Sequence, residues 1–491
     1  MDSLEERTAL AERPDAPGGP LYAASRSTQP RRPRMGRLVV ASNRTATPGA
    51  PKPGGLAVAL WDALQERGGG LWFGWSGETH ESESRGVRLI SEEGVEFALA
   101  DLTDAEFDGF YLNYANRALW PVMHYRVDLA RFDESAFDVY ESVNRRFGRL
   151  LSQQLRKEDV VWVHDYHFLL MGRELRHAGW GGPVGFFLHI PFPAPEVFTA
   201  LPAHAVIARA LADYDLIGFQ TRRDCANFKR YMVEHHDAEL LGEDRVRVGD
   251  RTLRVGAFPI GIDPDEFAQF AESEEGRAGA ERLGRIVEGR ALVIGVDRMD
   301  YSKGLLQRLQ AFAHLLDDHE ELRGRVTFVQ IAPPSRADVD AYQDLREQLD
   351  RLAGRVNSDY SDLDWTPVRY IARGYPRETL AGLYRLSRVA LVTPLYDGMN
   401  LVAKEFVAAQ DPEDPGVLVL SEFAGAAEQM PEALLVNPHD VYGTAEAVTK
   451  ALSMPLEERR QRWEALREGV WRQDVAWWRT EFLKALGEEQ S

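Results

Sequence analysis

The sequence predicts a doubly wound α/β protein: two Rossmann-like domains facing each other across a cleft. Three observations carry this. Short β-branched runs alternate with amphipathic helical runs along most of the chain. The β-branched runs are apolar almost throughout, as parallel strands buried on both faces must be. Nine such runs occur, more than one ordinary nucleotide-binding sheet employs.

In chain order the expected strands are 37–42 ("RLVVAS"), 160–164 ("VVWVH"), 184–189 ("VGFFLH") and 215–219 ("DLIGF"). They continue with 291–296 ("ALVIGV"), 326–332 ("VTFVQIA"), 368–372 ("VRYIA"), 389–394 ("VALVTP") and 417–421 ("VLVLS"). Helical patterns lie between nearly all of them, for example over 56–65 and 138–155. The alternation breaks at "AFPIGIDPDEF" (257–267), where prolines and glycines cluster, and a hinge is expected there. The organisation that follows is a leader (1–35), a first Rossmann-like domain (36–260), a second (261–465) and a C-terminal helix (466–491). The tail "WEALREGVWRQDVAWWRTEFLKAL" (463–486) reads as one long helix that either caps the second domain or crosses back to the first. Residues 1–35 are rich in Arg, Pro and Ala without an apolar segment, and read as disordered. Met35, just before "GRLVVASNR", is a candidate start.

The totals exclude several classes. The chain has 491 residues, 44% apolar and 27% charged, with a formal net charge of −19. So acidic a surface disfavours nucleic acid or an anionic membrane as partner. No window of about 18 apolar residues exists to span a bilayer. An anionic ligand must therefore be held by a local cluster of cations. The single cysteine, Cys225, allows neither an intrachain disulfide nor a cysteine zinc site, and points to a reducing, cytoplasmic setting. Assembly into a homo-oligomer is compatible with the sequence.

Ligands of open α/β sheets bind beyond the carboxyl ends of the strands. The first strand is followed by Ser42-Asn43-Arg44, the second by His164-Asp165-Tyr166-His167, and the third ends on His189. In the second half, "VDRMDYSKG" carries Arg298 and Lys303, "QIAPPSR" delivers Arg336, and "LVTPLYDGMN" delivers Asp397 ahead of a helix with Glu405. Arg298 and Lys303 are two cations at a strand-to-helix turn. Gly398, Met399 and Asn400 open a helix, whose unpaired N–H groups and dipole attract phosphate. Glu405, about two turns on, suits ribose hydroxyls. Together they read as a nucleoside-diphosphate site. The structural alternative is a solvated loop with Arg298 and Lys303 paired to Asp297 or Asp300.

In the first half, Arg44 and the Gly54-Gly55 pair before a helix suggest a second anion site, a plain turn being the alternative for the glycines. Trp72, Trp75, Tyr111 and Trp120 fall near turn regions, where aromatic faces suit either sugars or the core. His164 and His167 lack a third zinc ligand. Asp213-Tyr214-Asp215 precedes a strand, at the wrong edge for a catalytic cation. A site without metal or cofactor is expected.

The motifs "VVASNR", "GGLAVAL", "LWFGWSGE", "LWPVMHYR", "VWVHDYHFLL", "FFLHIPFP", "DRMDYSKG", "QIAPPSR" and "LVTPLYDGMNLVAKEFVAAQ" resemble those of the retaining trehalose-6-phosphate synthases, in the same order and with similar spacing. These are two-Rossmann-domain (GT-B) glycosyltransferases. The resemblance implies glucose transfer, with retention, from a nucleotide-glucose, UDP-glucose being the expected donor, to glucose 6-phosphate. It implies that Arg298 and Lys303 hold the donor diphosphate, Asp397 the transferred glucose and Glu405 the ribose. Gly398, Met399, Asn400 and Leu401 would present backbone to phosphates and sugar, with Gly55 approaching from the first domain. Arg44 and Arg336 would grip the phosphate of glucose 6-phosphate, with Tyr111 and Trp120 alongside. Trp75, Asp165 and His189 would line the sugar sites, His189 orienting the donor. Two positions depart from the family: Tyr396 stands where many members carry Arg, and Met299 where Leu is usual. The first removes a charge next to the donor and bears on the preferred nucleotide. The rivals are a sister transferase using glycerol 3-phosphate or a cyclitol phosphate, a sugar-nucleotide epimerase, and a non-catalytic subunit.

Overall fold

The computed structural model describes residues 36–46, 49, 54–82, 86–335 and 339–487, so the expected leader lies outside the described residues. Two mainly parallel sheets organise the rest. The first contains β1 (Leu38–Arg44), β2 (Gly70–His80), β3 (Arg88–Glu92), β4 (Val95–Thr103) and β5 (Val160–His164). It continues with β6 (Val184–Phe187), β7 (Leu216–Phe219), β8 (Glu239–Leu240), β9 (Arg245–Val248) and β10 (Arg251–Ala257). Their spatial order is β3-β4-β2-β1-β5-β6-β7-β10-β9-β8, antiparallel only at the two margins. The second sheet is parallel throughout: β11 (Ala291–Val296), β12 (Val326–Ile331), β13 (Val368–Ile371), β14 (Val389–Val392), β15 (Val417–Ser421) and β16 (Leu434–Val436), ordered β13-β12-β11-β14-β15-β16.

All nine expected strands form, because their apolar runs are buried by helices, the edge strand β13 only in part. Each sheet reverses its winding once. The first does so between β1 and β5, the second between β11 and β14. A crevice opens beyond the strand ends at such a point. Arg44 and His164-Asp165 end the first pair of strands; Arg298 and Asp397 follow the second pair. Topology alone thus gathers the polar residues singled out above.

The margins were less legible. β2 to β4 occupy a stretch where turns are expected near the aromatics, yet Trp72 and Trp75 are in β2. Tyr111 and Trp120 also leave the expected turns: both sit in one helical run over 104–123. Its middle, Phe107–Leu119, is wound in wide turns, so that Trp120 N–H donates to Ala115 O five residues back. Such widened turns recur at functional sites.

The tail is two helices, not one: Leu456–Arg472 and Val475–Gly487, broken at Gln473-Asp474. The second crosses back to the first domain. Phe482 and Leu486 press on Gly185 of β6 and Phe482 on Gly218 of β7, where only the lack of a side chain leaves room. Arg479 pairs with Asp62 of the helix Gly54–Gln65 and with Glu66 just after it. The return lies against the linker after β10: Val475 N–H donates to Ile262 O at 3.0 Å. The two chain crossings between sheets are therefore neighbours.

Candidate active site

The turn after β11 shows how a strand hands over to a helix through charges. Asp297 is buried and paired with the fully buried Arg308 at 2.9 Å. Arg308 also donates to Thr393 Oγ1 (3.2 Å), Gln330 Oε1 (3.1 Å) and Lys303 O (3.3 Å), fastening the turn to β14 and β12. Asp300 accepts from Ser302 N (2.9 Å) and from the Tyr342 hydroxyl (3.0 Å). Gly304, at φ 66°, starts the helix Leu305–Asp318, and a Cβ there would lie 2.2 Å from Thr393 O. Both acids are thus used inside the turn. Arg298 is exposed and makes no ion pair among the described residues. Lys303 Nζ lies 2.5 Å from Asp397 Oδ2, its partner lying 94 residues away in the chain. The solvated-loop alternative does not hold for Lys303, which pairs with neither Asp297 nor Asp300 but with Asp397, beyond the end of β14.

Asp397 Oδ2 also accepts from Asn400 Nδ2 at 3.1 Å. Asn400, at φ 73°, precedes the helix Leu401–Ala409, so Gly398, Met399 and Asn400 form the approach to its first turn. On that helix Glu405 is half-buried, and burial raises its carboxyl to about 7, partly offset by Arg377. Its neighbour Lys404 is 2% exposed and donates to Ile260 O and Gln429 Oε1, both at 2.7 Å. Burial lowers that amine to about 7. Lys404 thereby ties the helix to the interdomain linker.

Across the cleft, His189 Nε2 lies 3.1 Å from His164 Nδ1, and His189 N–H donates to Asp165 Oδ1 at 3.2 Å. Burial lowers His189 to about 3 and His164 well below its usual range, so both rings are neutral at physiological pH. Asp165 is held at φ 73°, a strained conformation for a residue with a Cβ, and such strain concentrates at functional sites. Trp478 of the returning helix lies beneath, its ring centre 6.0 Å from that of His189. Trp75 is buried, donates to Glu78 O at 2.7 Å, and carries the Arg44 guanidinium 5.7 Å above its ring. Tyr111 stands 5.9 Å from Trp75 and stacks on His167. Trp120 is buried and stacks on His124 at 4.1 Å. Arg336 lies outside the described residues.

Two glycines let the halves come close. A Cβ on Gly398 would lie 2.2 Å from His189 O, and one on Gly55 3.2 Å from Leu401 Cδ1. Only glycine at 398 lets the two domains approach this closely. Gly398→Ala is therefore expected to lower transfer at least about a hundredfold, a barrier change of ~2.7 kcal/mol, while far-ultraviolet dichroism stays unchanged.

Sequence reasoning missed Arg308 and Lys404, and weighed His164 only as a zinc ligand. Arg308 had a signal: it sits on the same helix face as Leu305, Leu309 and Phe312, all buried. A charge on an apolar face implies a buried partner. Asp213 and Asp215 pair with Arg176 and Arg251 at the other edge of the sheet, a structural role. Among the described residues one group has the spacing for a cation, Glu78, His80 and Asp101, on the β2 and β4 ends. Met299 is buried in the core, a near volume-conserving exchange for leucine.

Two parallel α/β domains whose switch points face each other, one with paired cations and a helix start, define a GT-B glycosyltransferase. The sequence profile of "Glycosyltransferase family 20" matches residues 31–488. The chain belongs to that family. It is 46% identical to a trehalose-6-phosphate synthase of Sinorhizobium fredii, over 92% of this chain and 98% of the relative. The structure of an α,α-trehalose-phosphate synthase (UDP-forming) from Burkholderia xenovorans in complex with glucose-6-phosphate superposes with a TM-score of 0.88 at 45% identity, covering 92% of this chain and 100% of that one. An Escherichia coli structure bound with UDP-2-fluoro glucose gives 0.88 at 42%, covering 92% and 99%. No helix among the described residues is long and apolar enough to cross a membrane.

Proposed function

We propose that this chain transfers glucose, with retention, from UDP-glucose to glucose 6-phosphate, giving α,α-trehalose 6-phosphate and UDP in the cytoplasm. The observation that carries the reading is the meeting of the Lys303–Asp397 pair with His189 and Asp165 across a gap closed by Gly398. As the donor bond breaks, negative charge gathers on the leaving diphosphate. Arg298, Lys303 and the N–H groups before Leu401 stabilise that charge, fixed in place before it develops. Asp397 and the neutral His189 orient the glucose, with Asp165 holding the backbone of His189. Arg44 and Arg336 bind the acceptor phosphate, and Trp75, Tyr111 and Trp120 flank its sugar. Attack comes from the face that the diphosphate leaves, and the departing phosphate oxygen accepts the acceptor hydroxyl proton. Closure about the linker after β10 excludes water.

The test is nucleotide release from UDP-, ADP- and GDP-glucose with glucose 6-phosphate, in EDTA. Rapid release from UDP-glucose is expected. No release with any donor overturns the reading; release only with glycerol 3-phosphate or a cyclitol phosphate replaces it with the sister activity; dependence on added Mg²⁺ removes its metal-free character.

A second outcome concerns pH. A carboxyl raised to about 7 takes up its proton as pH falls through that value and then accepts ribose hydroxyls poorly. The KM for UDP-glucose, whose diphosphate does not titrate there, is expected to rise below about pH 7. Glu405→Gln should show a raised KM that no longer varies with pH. A wild-type KM that stays flat through this range contradicts the assignment of Glu405 to the ribose.

A further inference from the structure

Tyr396, the departure beside Asp397, lies in contacts that the reaction scheme does not use. Its ring stacks on Tyr125 of the first domain, with centres 4.2 Å apart and planes at 29°. Arg223, in the helix Arg222–His236 of the first domain, places its guanidinium 5.0 Å from the same ring centre. Phe423, after β15, stacks on it at 6.0 Å and 12°. One second-domain tyrosine is thus held by two side chains of the first domain, and backed by its own.

Tyr125 is an unusual anchor. Its backbone has φ 59°, a left-handed conformation that an L-residue keeps only where its surroundings hold it. Two contacts do so: the stack on Tyr396, and the Tyr125 hydroxyl, which accepts from Ala194 N at 2.8 Å. Ala194 belongs to the segment "HIPFPA", which begins at His189. Tyr396 immediately precedes Asp397. A continuous line of contacts therefore runs from the His189 segment, through Tyr125 and Tyr396, to Asp397.

We infer that Tyr125 and Tyr396 are positioning residues, an aromatic clasp between the domains that sets the spacing of His189 and Asp397 and keeps water from the donor. The inference rests on the proposed transferase reading for its chemistry. With the clasp lost, the cleft opens more often, and water replaces the acceptor hydroxyl. Water then forms the new bond to the anomeric carbon, the bond to the diphosphate oxygen breaks, that oxygen takes up the water's proton, and glucose and UDP are released. The stack needs both ring faces; the Tyr396 hydroxyl adds a polar contact with Tyr125. Cation–π attraction to Arg223 needs a π face, so a leucine of similar bulk does not replace it.

The test compares UDP release with and without glucose 6-phosphate in the wild type and in Y396F, Y396L, Y396A and Y125A. The ratio of hydrolysis to transfer is expected to rise about tenfold or more in Y396L, Y396A and Y125A, and to change least in Y396F, which keeps the stack and loses only the hydroxyl. The double variant Y125A/Y396A should fall short of the combined effect of the two single ones, since both remove the shared stack. A purely structural role lowers both rates together and leaves the ratio unchanged; that result overturns the inference, as do additive effects in the double variant. Small-angle scattering of the free protein supplies a reading independent of substrate: Y396L should be more extended than the wild type, and equal radii count against the clasp. If the wild type transfers no glucose at all, the transferase reading fails, and scattering alone decides the clasp.

Discussion

Lys303→Ala is expected to lower kcat/KM about a thousandfold with little change in stability. A single donor aimed at charge developing in a transition state is worth ~3–4 kcal/mol in a water-poor site. Lys303 is well placed for this. Its side chain is only 12% exposed, and Arg308 fixes its backbone through the Lys303 carbonyl. The stability effect is smaller because Asp397 is not stranded. It keeps Asn400 Nδ2 at 3.1 Å and some contact with water. The loss should stay within about 1–2 kcal/mol, far below that for a fully buried pair. Lys303→Arg keeps the charge but not its point-like geometry, and should recover only part of the rate. Steady-state kinetics beside thermal melting separate the two effects. A variant that unfolds while its folded fraction retains the wild-type rate makes Lys303 structural.

The largest loss of stability is expected from Arg308. Its side chain is fully buried, and it is the ion-pair partner of Asp297, whose carboxyl is also buried. Removing one member of such a pair leaves the other charged in a medium that cannot solvate it, at a cost of ~3–5 kcal/mol. Arg308→Met should therefore melt the second domain far below the wild type. Burial already pushes the Asp297 carboxyl above its ordinary range, with Arg308 pulling it down. Without Arg308 that carboxyl should stay protonated to higher pH. The second substitution Asp297→Asn should recover part of the loss, because it removes the stranded charge. Denaturant unfolding of both single variants and the double one checks this coupling. If the double variant is as unstable as the sum of the singles, Arg308 acts through packing and not through Asp297.

These residues show what the sequence makes legible and what it does not. The strands of both sheets' centres were readable, because burial on both faces writes an unbroken apolar run such as "ALVIGV". The margins β2 to β4 and β8 to β10 were not. There one face is partly wet, and the pattern of "LWFGWSGETH" mixes aromatic, glycine and polar residues. The apolar spacing of the tail continues through Gln473-Asp474, which predicts one helix where two form. The break is capped locally by Asp474, whose Oδ1 accepts from Trp477 N at 2.7 Å, and the turn packs closely on Gly261 of the linker. Arg298, Lys303, Asp397 and Glu405 were found by their place after strands. Their partners were not, since Lys303 meets Asp397 and Lys404 meets Ile260 only once both sheets are folded. Whether Asp297 or Asp397 neutralises Lys303 depends on side-chain direction, which spacing does not encode. The departure at Tyr396 was visible as an odd residue, but its meaning required seeing Tyr125 opposite.

The central claim is a retaining, metal-free glucose transfer between two phosphorylated partners. Proton NMR of the product formed from UDP-glucose and glucose 6-phosphate in EDTA tests it most directly. The account predicts one disaccharide phosphate with both anomeric centres α, formed in step with UDP. A β-configured donor centre, or free glucose with no disaccharide, would contradict it.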